Sequence, residues 1–255
     1  MDDFASFPAS FDDPRITDRF CRRLRGSSGD LYLLGVVHDH PASIGRVRRV
    51  LESVEPDFLA LELSTAALPL YRAYARDEAG NEAAPPRFGG EMSAAIRAAP
   101  DADLVGIDAP NWSFLRRLVT RLIADRVAPA TAKRVISSLG GATREVLACR
   151  VAATLTHATS MTVTRDDPIE YDCTREDSPA DQAAHERSHV ASVQALLGSV
   201  ETDGSALAYR DETRERCMID RLETIRTRGD TVAVVGIDHL ETLATELATE
   251  QYSSH

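Results

Sequence analysis

Four short apolar runs punctuate the chain, at residues 31–37 (LYLLGVV), 57–63 (DFLALEL), 103–108 (DLVGID) and 231–237 (TVAVVGI). Each is continuous rather than alternating and is bounded by turn residues, the pattern of a strand covered on both faces. After the first run, Ile44, Val47, Leu51 and Val54 recur at helical spacing, with Arg46, Arg48, Arg49 and Glu52 between them and Pro56 just beyond. That is an amphipathic helix with a stop signal. Strand, helix, strand is the order of a parallel crossover. Further helical patterns lie at 92–99, 114–123, 135–139, 146–155, 190–197 and 207–225, and a last one follows the fourth run over 239–250. The chain therefore reads as an α/β fold: a mixed or mostly parallel central sheet flanked by helices, with a helical insertion in the middle of the chain.

Residues 1–29, rich in Asp, Pro, Ser and Gly, read as a loosely structured lead-in with a short helix near 16–25, ahead of a single α/β domain over 30–255. Two segments, 77–90 and 165–181, carry the Gly, Pro and acidic residues of solvated surface loops. At the end of the second, Ser178-Pro179 has the chemistry of an N-cap followed by the first helical residue.

Composition narrows the function classes. With 255 residues the chain is long enough for one large core, and with aromatics at 5 % that core must be built from Val, Leu, Ile and Ala. Lys+Arg number 29 against 40 Asp+Glu, a net charge of -11, which disfavours nucleic acid and anionic membrane as partners. Lys133 is the single lysine, so the basic side chains are arginines on an acidic background, the composition of a halophile's hydrated surface. Cys21, Cys149, Cys173 and Cys217 show no CxxC or CxxH spacing and are expected as reduced thiols in a cytoplasmic protein. No basic leader precedes an apolar stretch, and no run approaches the roughly 20 residues of a membrane span, so membrane insertion is not expected.

The candidate chemistry sits where the strands end. His38 follows the first run, Glu62 lies near the end of the second, Asp108 ends the third, and His239 lies just past the fourth. In an open parallel sheet, sites assemble outside the carboxyl ends of the strands. Two imidazoles and two carboxylates meeting there suit a divalent ion such as Mn, Co or Zn. Gly35-Val36-Val37-His38 and Gly236-Ile237-Asp238-His239 repeat one pattern, GxxH at a strand exit, in which Gly35 and Gly236 permit a tight turn or close approach to a substrate. An acid inside an apolar run needs a partner, so Glu62 is either a site residue or the mate of an arginine. Asp108 is either a ligand or a helix cap. Asp39, His40 and Asp238 are placed outside the ligand set, facing solvent or supporting the ligands.

A competing motif is His185-Glu186-Arg187-Ser188-His189, which matches HExxH, the zincin arrangement of two imidazoles one helical turn apart with a glutamate base. Arg187 places a charge inside the motif and no third-ligand motif follows. His185 and His189 are therefore read as a coincidence on an acidic, Ala-rich surface helix.

The segment 31–63, LYLLGVVHDHPASIGRVRRVLESVEPDFLALEL, resembles the opening of the TraB/PrgY pheromone-shutdown family, with its strand, GTxH, helix and PDxxxxEL. The block 231–240, TVAVVGIDHL, is similar to that family's second GxxH. Glu91-Met92 followed by Ile107-Asp108 resembles its middle segment, and Arg214-Glu215 ahead of Met218 its ERDxxM helix, with Val36 standing where the family has Thr. The resemblance implies the fold of the erythromycin-esterase and ChaN-like superfamily and, from the related Tiki-type proteases, metal-dependent hydrolysis of peptides or related amides and esters. It implies a divalent ion held by His38, His239 and Asp108, with Glu62 and Arg214 as catalytic residues that move the proton and steady negative charge. Two other readings are a noncatalytic regulator that sequesters a peptide or signal, and a haem- or iron-binding role. The oligomeric state is not legible in the sequence.

Overall fold

The computed structural model describes residues 7, 10–76, 86–108, 169–198 and 205–253. The strands are β1 (Cys21–Leu24), β2 (Leu31–Val36), β3 (Phe58–Leu61), β4 (Asp103–Gly106) and β5 (Thr231–Gly236). The helices are α1 (Pro41–Val54), α2 (Leu68–Arg76), α3 (Gly90–Ala98), α4 (Pro179–Gly198), α5 (Ser205–Arg226) and α6 (Ile237–Ser253). The four apolar runs are β2 to β5, as their patterning predicts. The helical patterns at 114–123, 135–139 and 146–155, and with them most of the expected insertion, lie outside the described residues.

The sheet order is β1-β2-β5-β3-β4. β2, β5, β3 and β4 run parallel and β1 pairs antiparallel to β2, so the sheet is mixed and mostly parallel. Strand side chains alternate faces, and the three central strands bury both. Tyr32, Leu34, Val36, Leu59, Leu61, Val232 and Val234 point into one core, where Val47, Val50 and Leu51 of α1 and Met92 and Ala95 of α3 meet them. Leu31, Leu33, Phe58, Ala60, Ala233 and Val235 point into the other, against Met218 and Leu222 of α5 and Leu240, Leu243 and Leu247 of α6. This layering is the reason the runs are continuous rather than alternating.

The last strand in sequence enters the middle of the sheet, between β2 and β3. β2 leads into α1 on one face while its neighbour β5 leads into α6 on the other. Adjacent parallel strands whose following helices leave in opposite directions open a crevice at their carboxyl ends. His38 in the turn after β2 and His239 in the first turn of α6 stand at that edge, beyond the ends of neighbouring strands about 4.8 Å apart.

Two expectations are corrected, and one helix is added. Residues 21–24 form an edge strand rather than part of a helix over 16–25, because the backbone groups of β2 from Leu31 to Leu34 need an antiparallel partner. α2, which the apolar pattern left unassigned, packs Leu70 and Tyr74 with Ala67 into a small separate cluster. Arg46, expected on the polar face of α1, has no solvent exposure. Its guanidinium donates to the carbonyls of Gly35 at 2.7 Å and Arg15 at 2.6 Å, lies 4.1 Å over the Phe20 ring, and pairs with Glu186.

α4 begins where Ser178-Pro179 predicts. The Ser178 hydroxyl accepts from the Asp181 amide at 3.2 Å and donates to the Asp181 carboxylate at 2.6 Å, a reciprocal cap. Cys21, Cys173 and Cys217 are buried, and Cys149 is outside the described residues. No helix among the described residues is long and apolar enough to cross a membrane.

Candidate functional site

Two groups of polar side chains gather at the carboxyl edge of the sheet. The first is built on the turn between β2 and α1. Asp39 takes a left-handed conformation, φ 57°, one of the few side chains that tolerate it. His38 Nδ1 lies 3.0 Å from Glu91 Oε1, and the Asp39 amide donates to Glu91 Oε2 at 2.9 Å. His38 Nε2 lies 3.5 Å from Asp39 Oδ2. Ligand-capable atoms of His38, Asp39 and Glu91 all fall within 4.8 Å of one another, the spacing of donors that share one divalent ion at about 2.0–2.3 Å. Glu91 is almost fully buried while the His38 side chain is half exposed, so the group has a fixed floor and an open side.

Glu91 is held there by the start of α3. Gly89 and Gly90 both have positive φ, 78° and 47°, and a Cβ on Gly90 would collide with the Asp39 carboxylate. Glycine is required at 90 on both counts. Glu91 then falls in the first turn of a helix, where a carboxylate is favoured by the helix dipole.

Residues 169–175, expected as solvated loop, close over this turn. The Ile169 amide donates to Asp39 Oδ2 at 3.0 Å, and the Tyr171 hydroxyl donates to the His38 carbonyl at 2.7 Å. The buried Gln182 side chain anchors the segment, its amide nitrogen 3.1 Å from the Thr174 carbonyl and 3.0 Å from that of Asp177. Between loop and turn lies a cleft of about 330 Å³, with Asp39, Arg87, Gly90, Glu170, Tyr171 and Arg175 on its walls. Burial, then the charges of Asp39, Glu91 and Glu186, push the Tyr171 phenol above its ordinary pKa, so it stays a donor.

The second group centres on Arg214 of α5. Its guanidinium grips Asp108 with two bonds, 2.9 and 3.0 Å, and reaches Glu62 Oε1 at 2.9 Å. The other Glu62 oxygen accepts from the Gly236 amide at 2.6 Å. His239 stands between Glu62 Oε1 at 3.5 Å and Glu215 Oε1, 2.9 Å from its Nδ1. Burial works against the charge on Arg214, but the Asp108 hydrogen bond and the charges of Asp108, Glu62 and Asp211 outweigh it and raise its pKa.

Four of the sequence-derived site residues, Glu62, Asp108, Arg214 and His239, thus share one network, with Gly236 supplying an amide. His38 belongs to the other group. Gly35 is buried beneath α6, where a Cβ would come within 2.8 Å of Leu240 and 2.9 Å of Ile237, so its absent side chain serves packing. Sequence reasoning set Asp39 aside and gave Glu91 no role. The available signal for Glu91 was the Gly-Gly pair placing an acid at the start of a helix. Nothing in the sequence marks Tyr171.

The HExxH residues resolve differently. Glu186 has no solvent exposure, accepts from the Ser43 hydroxyl at 2.5 Å and pairs with Arg46, so it is structural. α4 lies at the surface as expected, but one face of it is packed, with Gln182, Glu186 and Val190 buried. His40 is the N-cap of α1 and fully buried. Its Nδ1 accepts from the Ala42 amide at 3.1 Å, which leaves the proton of the neutral ring on Nε2, 3.0 Å from His185 Nδ1.

No protein-family model, curated protein or solved structure matches this chain. The likeness to the TraB/PrgY family therefore rests on the motifs themselves.

Proposed function

We propose that this protein is a metal-dependent hydrolase of peptides or related amides and esters, with the ion held by His38, Asp39 and Glu91. The observation that carries the reading is the gathering of these three side chains within ligand distance of one another, Asp39 also lining the cleft. One imidazole and two carboxylates suit Mn, Co or Zn. Such an ion lowers the pKa of a bound water and polarises a substrate carbonyl. Asp108 is assigned to Arg214 rather than to the ion, because a guanidinium already occupies both of its oxygens.

The second group serves the same reaction. Arg214, kept charged by Asp108 and Glu62, steadies negative charge on the reacting carbonyl. His239, oriented by Glu215, is the proton carrier. Glu62 positions both, because its two oxygens hold Arg214 and the Gly236 amide while His239 stands beside it.

The test is to strip the protein of metal, reload it with Mn, Co or Zn, and assay peptide and ester hydrolysis. Turnover should return with metal, and His38→Ala or Glu91→Gln should remove both metal and turnover. Full hydrolysis in chelator, or undiminished metal binding in both variants, would overturn the proposal. One observation favours a second reading, a noncatalytic binder of a peptide or signal: both strand-end carboxylates are neutralised by Arg214. Tight peptide binding without turnover in the metal-loaded protein would select it.

A further inference from the structure

We propose that the cleft takes a short peptide by its C-terminal carboxylate, with Arg175 and Arg87 as the residues that receive it. The peptide nature of the ligand rests on the hydrolase reading above, while the carboxylate selectivity rests on the cleft itself.

Arg175 and Arg87 both line the cleft, and both are exposed at its rim. The Arg87 guanidinium lies 5.0 Å over the Phe88 ring, a contact that holds it at the cleft. The Arg175 carbonyl accepts from the Gln182 side-chain amide at 3.3 Å, while its guanidinium makes neither a hydrogen bond nor an ion pair among the described residues. It is nonetheless partly desolvated, since burial pulls its pKa down from the ordinary arginine value while the Asp39 charge pulls it back up. A guanidinium on a cleft wall with no acceptor among the described residues is placed to receive one, and its two-pronged donor geometry fits a carboxylate.

The rest of the lining selects among anions. Asp39 and Glu170 share the walls with the two arginines, so the lining charges balance. A dianion or polyphosphate meets two carboxylates there, whereas a monoanion reaches the arginines with little repulsion. The volume, about 330 Å³, is at the small end of ligand pockets and fits two or three residues rather than a folded protein's strand. Asp39 connects the cleft to the His38–Glu91 group, so a peptide anchored by its carboxylate presents its last amide bonds toward that group. The cleft would then make the enzyme one that acts near peptide C-termini.

Calorimetry on the full chain tests this, with N-acetyl-Ala-Ala as the free acid, the same peptide as its C-terminal amide, and inorganic phosphate, each on metal-free and Mn-loaded protein. The free acid should bind at least tenfold more tightly than the amide. Arg175→Ala should abolish that preference, with circular dichroism unchanged because the side chain is exposed, and Arg175→Lys should restore part of it. Equal binding of acid and amide, no binding of either, or phosphate outcompeting the acid would each overturn the inference. Bound metal and turnover are read in the same samples. Acid preference without metal would sink the hydrolase reading alone, and turnover without acid preference would sink this inference alone.

Discussion

The carboxylate of Glu186 and the guanidinium of Arg46 meet in the interior with no solvent on either side chain. The pair joins α4 to α1, and Arg46 extends the link to the Gly35 and Arg15 carbonyls. Removing one member of a buried pair leaves an uncompensated charge, which costs about 3–5 kcal/mol. Glu186→Ala should therefore lower the unfolding free energy obtained from urea melts by that amount while leaving metal content unchanged. Lost metal at undiminished stability would instead restore the zincin reading of HExxH.

The ion should depend on His38 and Glu91 but not on the network around Arg214. His38→Ala and Glu91→Gln are expected to weaken Mn or Zn affinity by about 100-fold or more, since supporting residues alone are worth about 10–100-fold at metal sites. His239→Ala should retain metal within a few-fold and lose turnover. Equilibrium titration with a competing chelator separates these outcomes. Loss of metal in His239→Ala would move the site to the ligand set expected from the strand ends.

Arg214 neutralises two carboxylates at once, and its side chain is 22 % exposed. Partial exposure reduces the cost of removing it below that of a fully buried pair, to roughly 2 kcal/mol. Arg214→Met should destabilise by that amount in chemical denaturation. Arg214→Lys should recover only part of it, because an ammonium cannot make the two-pronged contact with Asp108. Full recovery by lysine would show that charge alone matters there.

Stability should fall on mild acidification because of His40. Burial first, then the proximity of His185, His189 and Arg46, push its pKa down from 6.5 to about 4. The Tyr171 ring also packs against it, 4.7 Å away. A group whose folded pKa is depressed binds more protons unfolded than folded between the two values. Its contribution is therefore complete above about pH 6.5 and is lost as pH falls toward 4, by up to roughly 3 kcal/mol. Urea melts of metal-free protein at pH 7, 6, 5 and 4 should show this slope, and His40→Asn, which keeps a capping side chain, should flatten it. Equal slopes in the two proteins would remove His40 as the cause.

The strands were legible because burial on both faces leaves a mark in one dimension: an uninterrupted apolar run. β1 was not, since Arg22 and Arg23 interrupt it and its formation depends on the free edge of β2. Arg46 misled for a similar reason. An arginine at that helical position reads as solvent-facing, and only α4, far along the chain, supplies the carboxylate that lets it be buried. Glu62 was recognised as an acid that needs a partner, but Arg214 as the mate of both Glu62 and Asp108 required α5 to cross the ends of β3 and β4.

By itself the sequence determined the layers of this protein, the GxxH turns at two strand exits, and the need to compensate Glu62, because each follows from local patterning and the cost of burying polar groups. Tertiary structure alone decided that β5 enters between β2 and β3, bringing His38 and His239 to neighbouring strand ends. It also decided which acids accompany each histidine: Glu91 and Asp39 on one side, Glu62 and Glu215 on the other. These pairings depend on strand order and on which face each helix covers, and long-range packing sets both with no signature in residue spacing.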